Sequence, residues 1–280
     1  MSHVHQPVPV TVGILTYQSS IATVEATLRS ALGFAEIIVC DGGSTDGTRD
    51  LALALGCKVI DQSPEFIDSR GRLINEAGVN EQVLESASFD WVFFLDHDEL
   101  ATAELVEEMR RVVSGDTTDG AYEIPRLYML GGEVIECASN YPSYQIRLVN
   151  RKAVIGYGGL IHSPVLMKKG QTVGRLDGCQ LVPLMPFRDL WKKWRGYMRL
   201  EEVQQMSLSA YEWRSQVVRR SLKLMKWLLW RNYKIRRECV GRRLPLRYEL
   251  GRFGYEFGVI FYTGRRFVGL GRTRADEAWQ

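Results

Sequence analysis

The segment Phe93-Phe94-Leu95-Asp96-His97-Asp98-Glu99 crowds three carboxylates and a histidine into four residues directly after an apolar run. Like charges at that spacing repel, and the arrangement is easiest to sustain where a divalent cation or a bound substrate supplies positive charge. Asp96 and Asp98 are two residues apart, so an extended backbone puts both side chains on one face, where they can hold one cation together with a diphosphate. Hard oxygen ligands suit Mg²⁺ or Mn²⁺, whose shells are commonly completed by substrate phosphates. A second acidic run, Asp41-Gly42-Gly43-Ser44-Thr45-Asp46-Gly47-Thr48, brings Asp41 as a third candidate. The plain alternative for either run is a polar turn after a buried strand.

The elements that must position these residues follow from periodicity. Val8 to Leu15, Glu36 to Cys40, Lys58 to Ile60 and Trp91 to Leu95 read as strands. Ser20 to Leu32, Arg49 to Leu55 and residues 69–87 read as helices, the second ended by Gly56. Alternating strands and helices indicate an α/β fold, with a mostly parallel sheet covered on both faces. Ligands bind beyond the carboxyl ends of such strands, and both acidic runs sit at such ends.

With 45% hydrophobic and 25% charged residues over 280 positions, the composition is that of a globular chain with a full core. Its five cysteines are scattered, odd in number and without CxxC spacing, so neither a disulfide framework nor a zinc site is expected, and a reducing cytoplasm fits. The opening MSHVHQPVPV lacks a basic region followed by an apolar core, and no apolar run approaches the ~20 residues of a membrane span. The net charge of +3 conceals two halves: 14 Lys and Arg against 24 Asp and Glu up to residue 185, then 22 against 9. The acidic half suits a cation-dependent site, and the basic half must face something negative.

The blocks TVGILTYQS, IIVCDGGSTDGT, SRGRLINEA and WVFFLDHDE, in this order, resemble the nucleotide-sugar-binding half of family 2 glycosyltransferases with the GT-A (Rossmann-like) fold. The likeness covers residues 8–110. It continues less tightly through Gly120 to Arg126, Tyr141 to Leu148 and Ile161 to Ser163, which are similar to the branch of bacterial lipopolysaccharide-core β-glucosyltransferases. The resemblance implies a nucleoside-diphosphate donor, a UDP-sugar foremost, and residues 1–185 as the GT-A domain. By position, Asp41 matches the aspartate that contacts the nucleobase, with Thr16 and Tyr17 beside it. Arg70 matches a basic residue near base or diphosphate, although the asparagine that follows it in the family is Gly71 here. Asp96 and Asp98 match the DxD motif, with Asp98 as the direct metal ligand. His162 matches a histidine that joins the metal or the leaving diphosphate, with a structural histidine in a Gly-rich loop as the alternative.

Family 2 enzymes generally invert the anomeric centre, which requires a carboxylate to accept the acceptor hydroxyl's proton. The acidic block expected for that task is not evident, and Ser143 stands where the related branch has aspartate. Glu133 and Glu136, in GGEVIEC, are the nearest substitutes; solvent-facing strand carboxylates are the alternative.

Residues 186–280 form a basic α-helical extension. At 100° per residue, Val217, Val218, Leu222, Leu224, Met225, Leu228 and Leu229 share one broad arc, and Arg219, Arg220, Lys223, Lys226 and Arg231 occupy the other, with Trp227 and Trp230 near the basic side. Such a helix either packs on the core or meets an anionic membrane surface. No nucleic-acid module is present, so no nucleic acid is expected. The whole reads as a metal-dependent inverting glycosyltransferase, peripheral on the inner membrane face, acting on an envelope glycan or a lipid-linked acceptor. A non-catalytic GT-A scaffold that binds glycan or lipid is one alternative. A nucleotidyltransferase is another, although TVGILTYQSS lacks the glycine-rich basic loop it needs.

Overall fold

Val8–Thr16 (β1) is an almost unbroken run of β-branched and aliphatic residues in which Pro9 alone is exposed. A strand buried on both faces needs that pattern, because it packs against neighbours above and below. In the computed structural model, which describes residues 6–67, 73–115, 117–159 and 164–270, β1 lies inside a parallel group. It pairs with Phe34–Asp41 (β2), which pairs with Lys58–Asp61 (β3), and its other edge pairs with Trp91–Phe94 (β4). The helices Ile21–Ser30 (α1), Thr48–Ala54 (α2), Glu76–Ser86 (α3) and Ala103–Val113 (α4) are interleaved with these strands. Side chains alternate between faces. Ile37 and Val39 of β2 and Phe93 of β4 join one apolar cluster with α1 and α4, whereas Ile38, Cys40, Val92 and Phe94 join another beside α3.

The helix expected over 69–87 begins at Glu76. Asn75 ends the preceding chain by accepting the Gly78 N–H on its side-chain oxygen at 3.1 Å, an N-cap that satisfies an orphan donor of the first turn.

The remaining strands are Leu100–Ala101 (β5), Asp119–Leu130 (β6), Glu133–Val134 (β7), Tyr144–Asn150 (β8), Val154–Tyr157 (β9), Val165–Met167 (β10), Thr172–Arg175 (β11) and Gln180–Pro183 (β12). The main sheet runs β3-β2-β1-β4-β8-β6-β12-β5, with β8 antiparallel to both β4 and β6. This is the expected α/β sheet, parallel through its first four strands and mixed beyond them.

The chain forms two compact units, one of residues up to Leu127 with Pro142–Val182, the other of Tyr128–Tyr141 with the residues from Pro183 on. The second is mainly helical: Phe187–Gln204 (α5), Ala210–Glu212 (α6), Arg219–Glu238 (α7) and Leu246–Gly264 (α8). Its core gathers Met198, Val217 and Val259 with Trp191, Trp194 and Trp213. Tyr128–Tyr141, which a division at residue 185 leaves in the first domain, is fastened here by backbone and covalent bonds. Glu136 and Cys137 donate their N–H groups to the Arg242 carbonyl at 2.9 and 3.0 Å, and Leu244 returns one to Cys137 at 2.8 Å. Cys137 and Cys239 are disulfide-bonded, with Cα atoms 6.4 Å apart. This corrects the expectation of unpaired cysteines. The partners are 102 residues apart, and only the fold brings them together.

The apolar arc drawn for α7 is also corrected. Val217, Met225 and Leu228 are buried, but Leu222, Leu224 and Leu229 are exposed. The buried face is narrower than that arc: at 100° per residue Ser221, Met225 and Leu228 lie within about 60° of one another, and Leu222, Leu224 and Leu229 fall outside it on either side, while Trp213–Val218 before the helix is a π-helical turn. Among the described residues, no helix is long and apolar enough to cross a membrane.

Candidate active site

β1, β2 and β4 all end on one edge of the sheet, so the loops after them are neighbours. The loop after β2 is organised by Asp41, which is 1% exposed. Its Oδ1 accepts from the Thr16 hydroxyl at 2.8 Å and the Ser44 hydroxyl at 2.6 Å. Its Oδ2 accepts from the N–H groups of Gly43 at 3.0 Å and Ser44 at 2.8 Å, and from Arg49 at 3.2 Å. Burial pushes this carboxyl up, but the donors of Ser44, Thr16 and Arg49 outweigh it and hold Asp41 below its ordinary value. Gly43 and Gly47 have φ of 93° and 91°, conformations that a side chain rarely adopts, which is why this loop carries glycine at both positions.

The same loop is stitched to the end of β1. Gln18, the one non-glycine residue with positive φ among those described (45°), donates its N–H to the Ser44 hydroxyl at 2.9 Å and its side-chain amide to Thr45 at 3.1 Å. Gln62 is buried below, bonded to the carbonyls of Thr16 at 3.3 Å and Cys40 at 3.1 Å. Backbone held in a sparsely populated region by surrounding bonds is characteristic of sites that must be rigid before a ligand arrives. Tyr17 lies in this stitched segment and is exposed.

After β4 the strand stops at Phe94, and Asp96 to Glu99 fold into a turn closed by the Glu99 N–H on the Asp96 carbonyl at 3.0 Å. The Thr27 hydroxyl of α1 holds the His97 carbonyl at 2.9 Å. The extended geometry expected to place Asp96 and Asp98 on one face is therefore replaced by a turn. Arg147, from β8, takes both oxygens of Asp96 at 3.0 and 2.8 Å, the two-pronged pairing that suits a guanidinium and a carboxylate. Arg126, from β6, bonds Glu99, which is 1% exposed, and Gln180 donates to the second Glu99 oxygen at 3.0 Å. The crowding of FFLDHDE is thus relieved within the fold, by two arginines brought from strands later in the chain.

Partial withdrawal from water opposes ionisation of Asp96, whose side chain is 47% exposed. The charge and hydrogen bonds of Arg147, and then the charge of Arg126, outweigh that and hold it well below the usual carboxylate range. Glu99 moves the other way, pushed up by burial and by the negative charge of Asp96, with the two arginines opposing. Asp98 is half-buried and, among the described residues, has neither a hydrogen bond nor an ion pair.

Among the described residues no three His, Cys, Asp or Glu gather into a metal cage. The carboxylate chemistry still fits Mg²⁺ or Mn²⁺, which usually take one or two carboxylates and leave other positions to water and substrate phosphates. Asp98 is the unencumbered donor and Asp96 the restrained one. Arg70 and His162 lie outside the described residues. Glu133 and Glu136 lie in the second unit. There Glu133 is paired with Arg242, and Glu136 accepts the Arg242 N–H at 2.7 Å.

Glu99, Arg126, Arg147, Gln18 and Gln62 are the site residues that sequence reasoning missed. Two signals pointed toward the arginines: the unexplained excess of carboxylates at 96–99, which demanded counter-charge from somewhere, and the family-like stretches Gly120 to Arg126 and Tyr141 to Leu148 that contain them.

The profile of a family described as Glycosyl transferase family 2 matches residues 11–158. Among solved structures the chain is similar to glucosyl-3-phosphoglycerate synthase from Mycobacterium tuberculosis in complex with Mn²⁺, UDP and glucosyl-3-phosphoglycerate. The identity is 19%, covering 65% of this chain and 74% of that one, with a TM-score of 0.42. It is also similar to residues 1–349 of S. aureus TarS in complex with UDP-GlcNAc, at 13% identity over 93% and 92% of the two chains and a TM-score of 0.47.

Proposed function

The chain belongs to glycosyl transferase family 2, whose profile spans more than half of it, and from that premise we propose that it transfers a sugar from a nucleoside-diphosphate donor, a UDP-sugar foremost, with inversion. The observation that carries this reading is the shared edge itself. The rigid Asp41 loop and the Asp96 to Glu99 turn open on either side of the end of β1, where a base at one and a diphosphate at the other can be held at once. Thr16 and Asp41 fix the loop that receives the base, and Tyr17 offers a ring to it. A Mg²⁺ or Mn²⁺ ion held by Asp98, with Asp96 behind it, would supply Lewis-acid stabilisation of the diphosphate leaving group. By the family likeness alone, Arg70 is assigned near the base or the diphosphate, and His162 to the metal or the leaving diphosphate.

For the acceptor we keep Glu133 and Glu136 as the candidate bases. The GGEVIEC segment that carries them is held by the Cys137–Cys239 bond and the Arg242 backbone, and a fixed segment is what a base requires. The acceptor proposed is an envelope glycan or its lipid-linked precursor, as in the lipopolysaccharide-core branch. In the second unit α7 exposes Lys223, Lys226, Trp227, Trp230 and Tyr233, with Lys234 5.6 Å over the Trp230 ring and Arg237 5.6 Å over Tyr233. On α8, Leu246, Leu250, Phe257 and Phe261 are exposed, and at 100° per residue they share an arc of about 60°. Basic and aromatic faces beside an apolar stripe suit an anionic lipid surface. The inner-face, cytoplasmic location belongs to the same reading, and the disulfide is the observation that stands against it.

Calorimetric titration of UDP with and without Mn²⁺, followed by assay of UDP release from a panel of UDP-sugars, tests the core of the proposal. Metal-dependent UDP binding together with release from one of the sugars is expected. No binding under either condition would remove the donor assignment.

A further inference from the structure

Arg147 and Arg126 do more than relieve repulsion. Arg147 is bonded to Asp96 and lies 3.8 Å from Glu99, while Arg126 is bonded to Glu99 and lies 3.8 Å from Asp96. The four formal charges cancel. Arg147 is itself steered by Gln145, which accepts its Nε–H at 3.1 Å. Asp98 is left outside the quartet.

Because each Asp96 oxygen accepts a guanidinium N–H, the carboxylate is fixed in plane and offers a cation only its remaining lone pairs. We propose that Arg147 is a positioning residue of the donor site. It withholds Asp96 from chelating a divalent cation together with Asp98, so that the cation is gripped firmly only when a donor diphosphate brings oxygens of its own. The inference rests on the metal-dependent reading above and adds an order to it: metal enters with the nucleotide, not ahead of it. The advantage is chemical, since a cation chelated by two free carboxylates has fewer positions and less charge left for the leaving group.

An arginine with only a structural role would reveal itself through lost stability. Here the signature differs, because deleting the positive charge and releasing Asp96 both increase the attraction of the turn for a cation. The measurement is Mn²⁺ binding to the full chain, followed by the paramagnetic signal of unbound Mn²⁺, with and without UDP. Wild type should bind Mn²⁺ at least ten-fold more tightly when UDP is present. Arg147→Gln should bind Mn²⁺ without nucleotide at least ten-fold more tightly than wild type does, and UDP should then add little. Arg147→Lys keeps the charge but lacks the fork, and should fall between the two. Nucleotide-free Mn²⁺ binding by Arg147→Gln that is no tighter than wild type overturns the proposal. Should that variant fail to fold, wild-type Mn²⁺ binding by Arg147→Lys overturns it equally. If wild type takes up no Mn²⁺ even with UDP, the metal reading itself falls and this inference with it.

Discussion

Arg147 and Asp96 meet fork to fork across 51 residues of sequence, two nitrogens on two oxygens, whereas Asp98 has no such partner among the described residues. The two aspartates of one motif are therefore different groups. Asp98→Asn should abolish Mn²⁺-dependent UDP binding and change stability by no more than about 0.5 kcal/mol. Asp96→Asn leaves a guanidinium facing an amide, and should lower stability by about 1 kcal/mol once its half-exposed position is allowed for. Calorimetry and thermal melts on the two variants separate the roles; equal effects on binding and stability from both would contradict the division.

Asp41 is expected to matter first for stability. Its folded value lies below the ordinary one, so its ionised form contributes stability that is fully present above about pH 4 and is lost as pH falls through the folded value. Asp41→Asn should be destabilised by about 1–3 kcal/mol at neutral pH, as five donors lose a carboxylate. That deficit should stay level from pH 8 to 5 and shrink only below about pH 4. Urea melts across this range would show it, and a deficit that changes between pH 8 and 6 would point to another group.

The base assignment is decided by transfer to an acceptor, because hydrolysis can bypass the base. Replacing the correct one of Glu133 and Glu136 by Gln should lower transfer by about 10²-fold or more at unchanged donor affinity. Normal transfer by both variants would place the proton acceptor elsewhere.

Two kinds of lipid contact are separable by salt. Each basic residue near an anionic surface contributes up to about 1 kcal/mol within a Debye length of about 8 Å. Gln at Arg219, Arg220, Lys223 and Lys226 should therefore weaken co-sedimentation with phosphatidylglycerol vesicles mainly at low salt. Ser at Phe257 and Phe261 of α8 should weaken what persists at high salt. Equal sedimentation of wild type with anionic and neutral vesicles would exclude the electrostatic contact.

Thiol chemistry tests the covalent bond and bears on location. Burial pushes the Cys40 thiol up to about 12, helped by the charges of Asp41 and Asp61, and burial alone pushes Cys57 to about 11. Both should resist a disulfide reagent at pH 8 in the folded chain. Unfolding without reductant should expose three thiols, Cys40, Cys57 and Cys179, and reduction two more. Five thiols on unfolding alone would mean that Cys137 and Cys239 are not joined in the isolated protein.

What was legible in the sequence was local. The alternation that splits Ile37 from Ile38 and Phe93 from Phe94 between two clusters is written in the order of the residues, and so is the strand-helix rhythm of the parallel half. The acidic runs also announced themselves by composition. What stayed hidden depended on distant partners. Nothing near Asp96 indicates that β8 lies against β4 and delivers Arg147, and nothing near Cys137 points to Cys239. The π-helical turn before α7 escaped for another reason, since a wheel with a constant step has no means of representing it.

The delivery of both arginines by later strands sets a timetable for synthesis. Glu99 leaves the ribosome 27 residues before Arg126, and Asp96 leaves 51 before Arg147. At about 5–20 residues per second that second interval is roughly 3–10 s. Until Arg126 emerges, the acidic turn has neither of its arginines; until Arg147 follows, Asp96 lacks its fork; and over the whole interval β4 has one bare edge. The first half of the sheet is therefore not a folding unit that can finish early. It waits for β6 and β8, and a chain stalled before Arg147 would present the translation machinery with an anionic, edge-exposed intermediate in place of a closed domain.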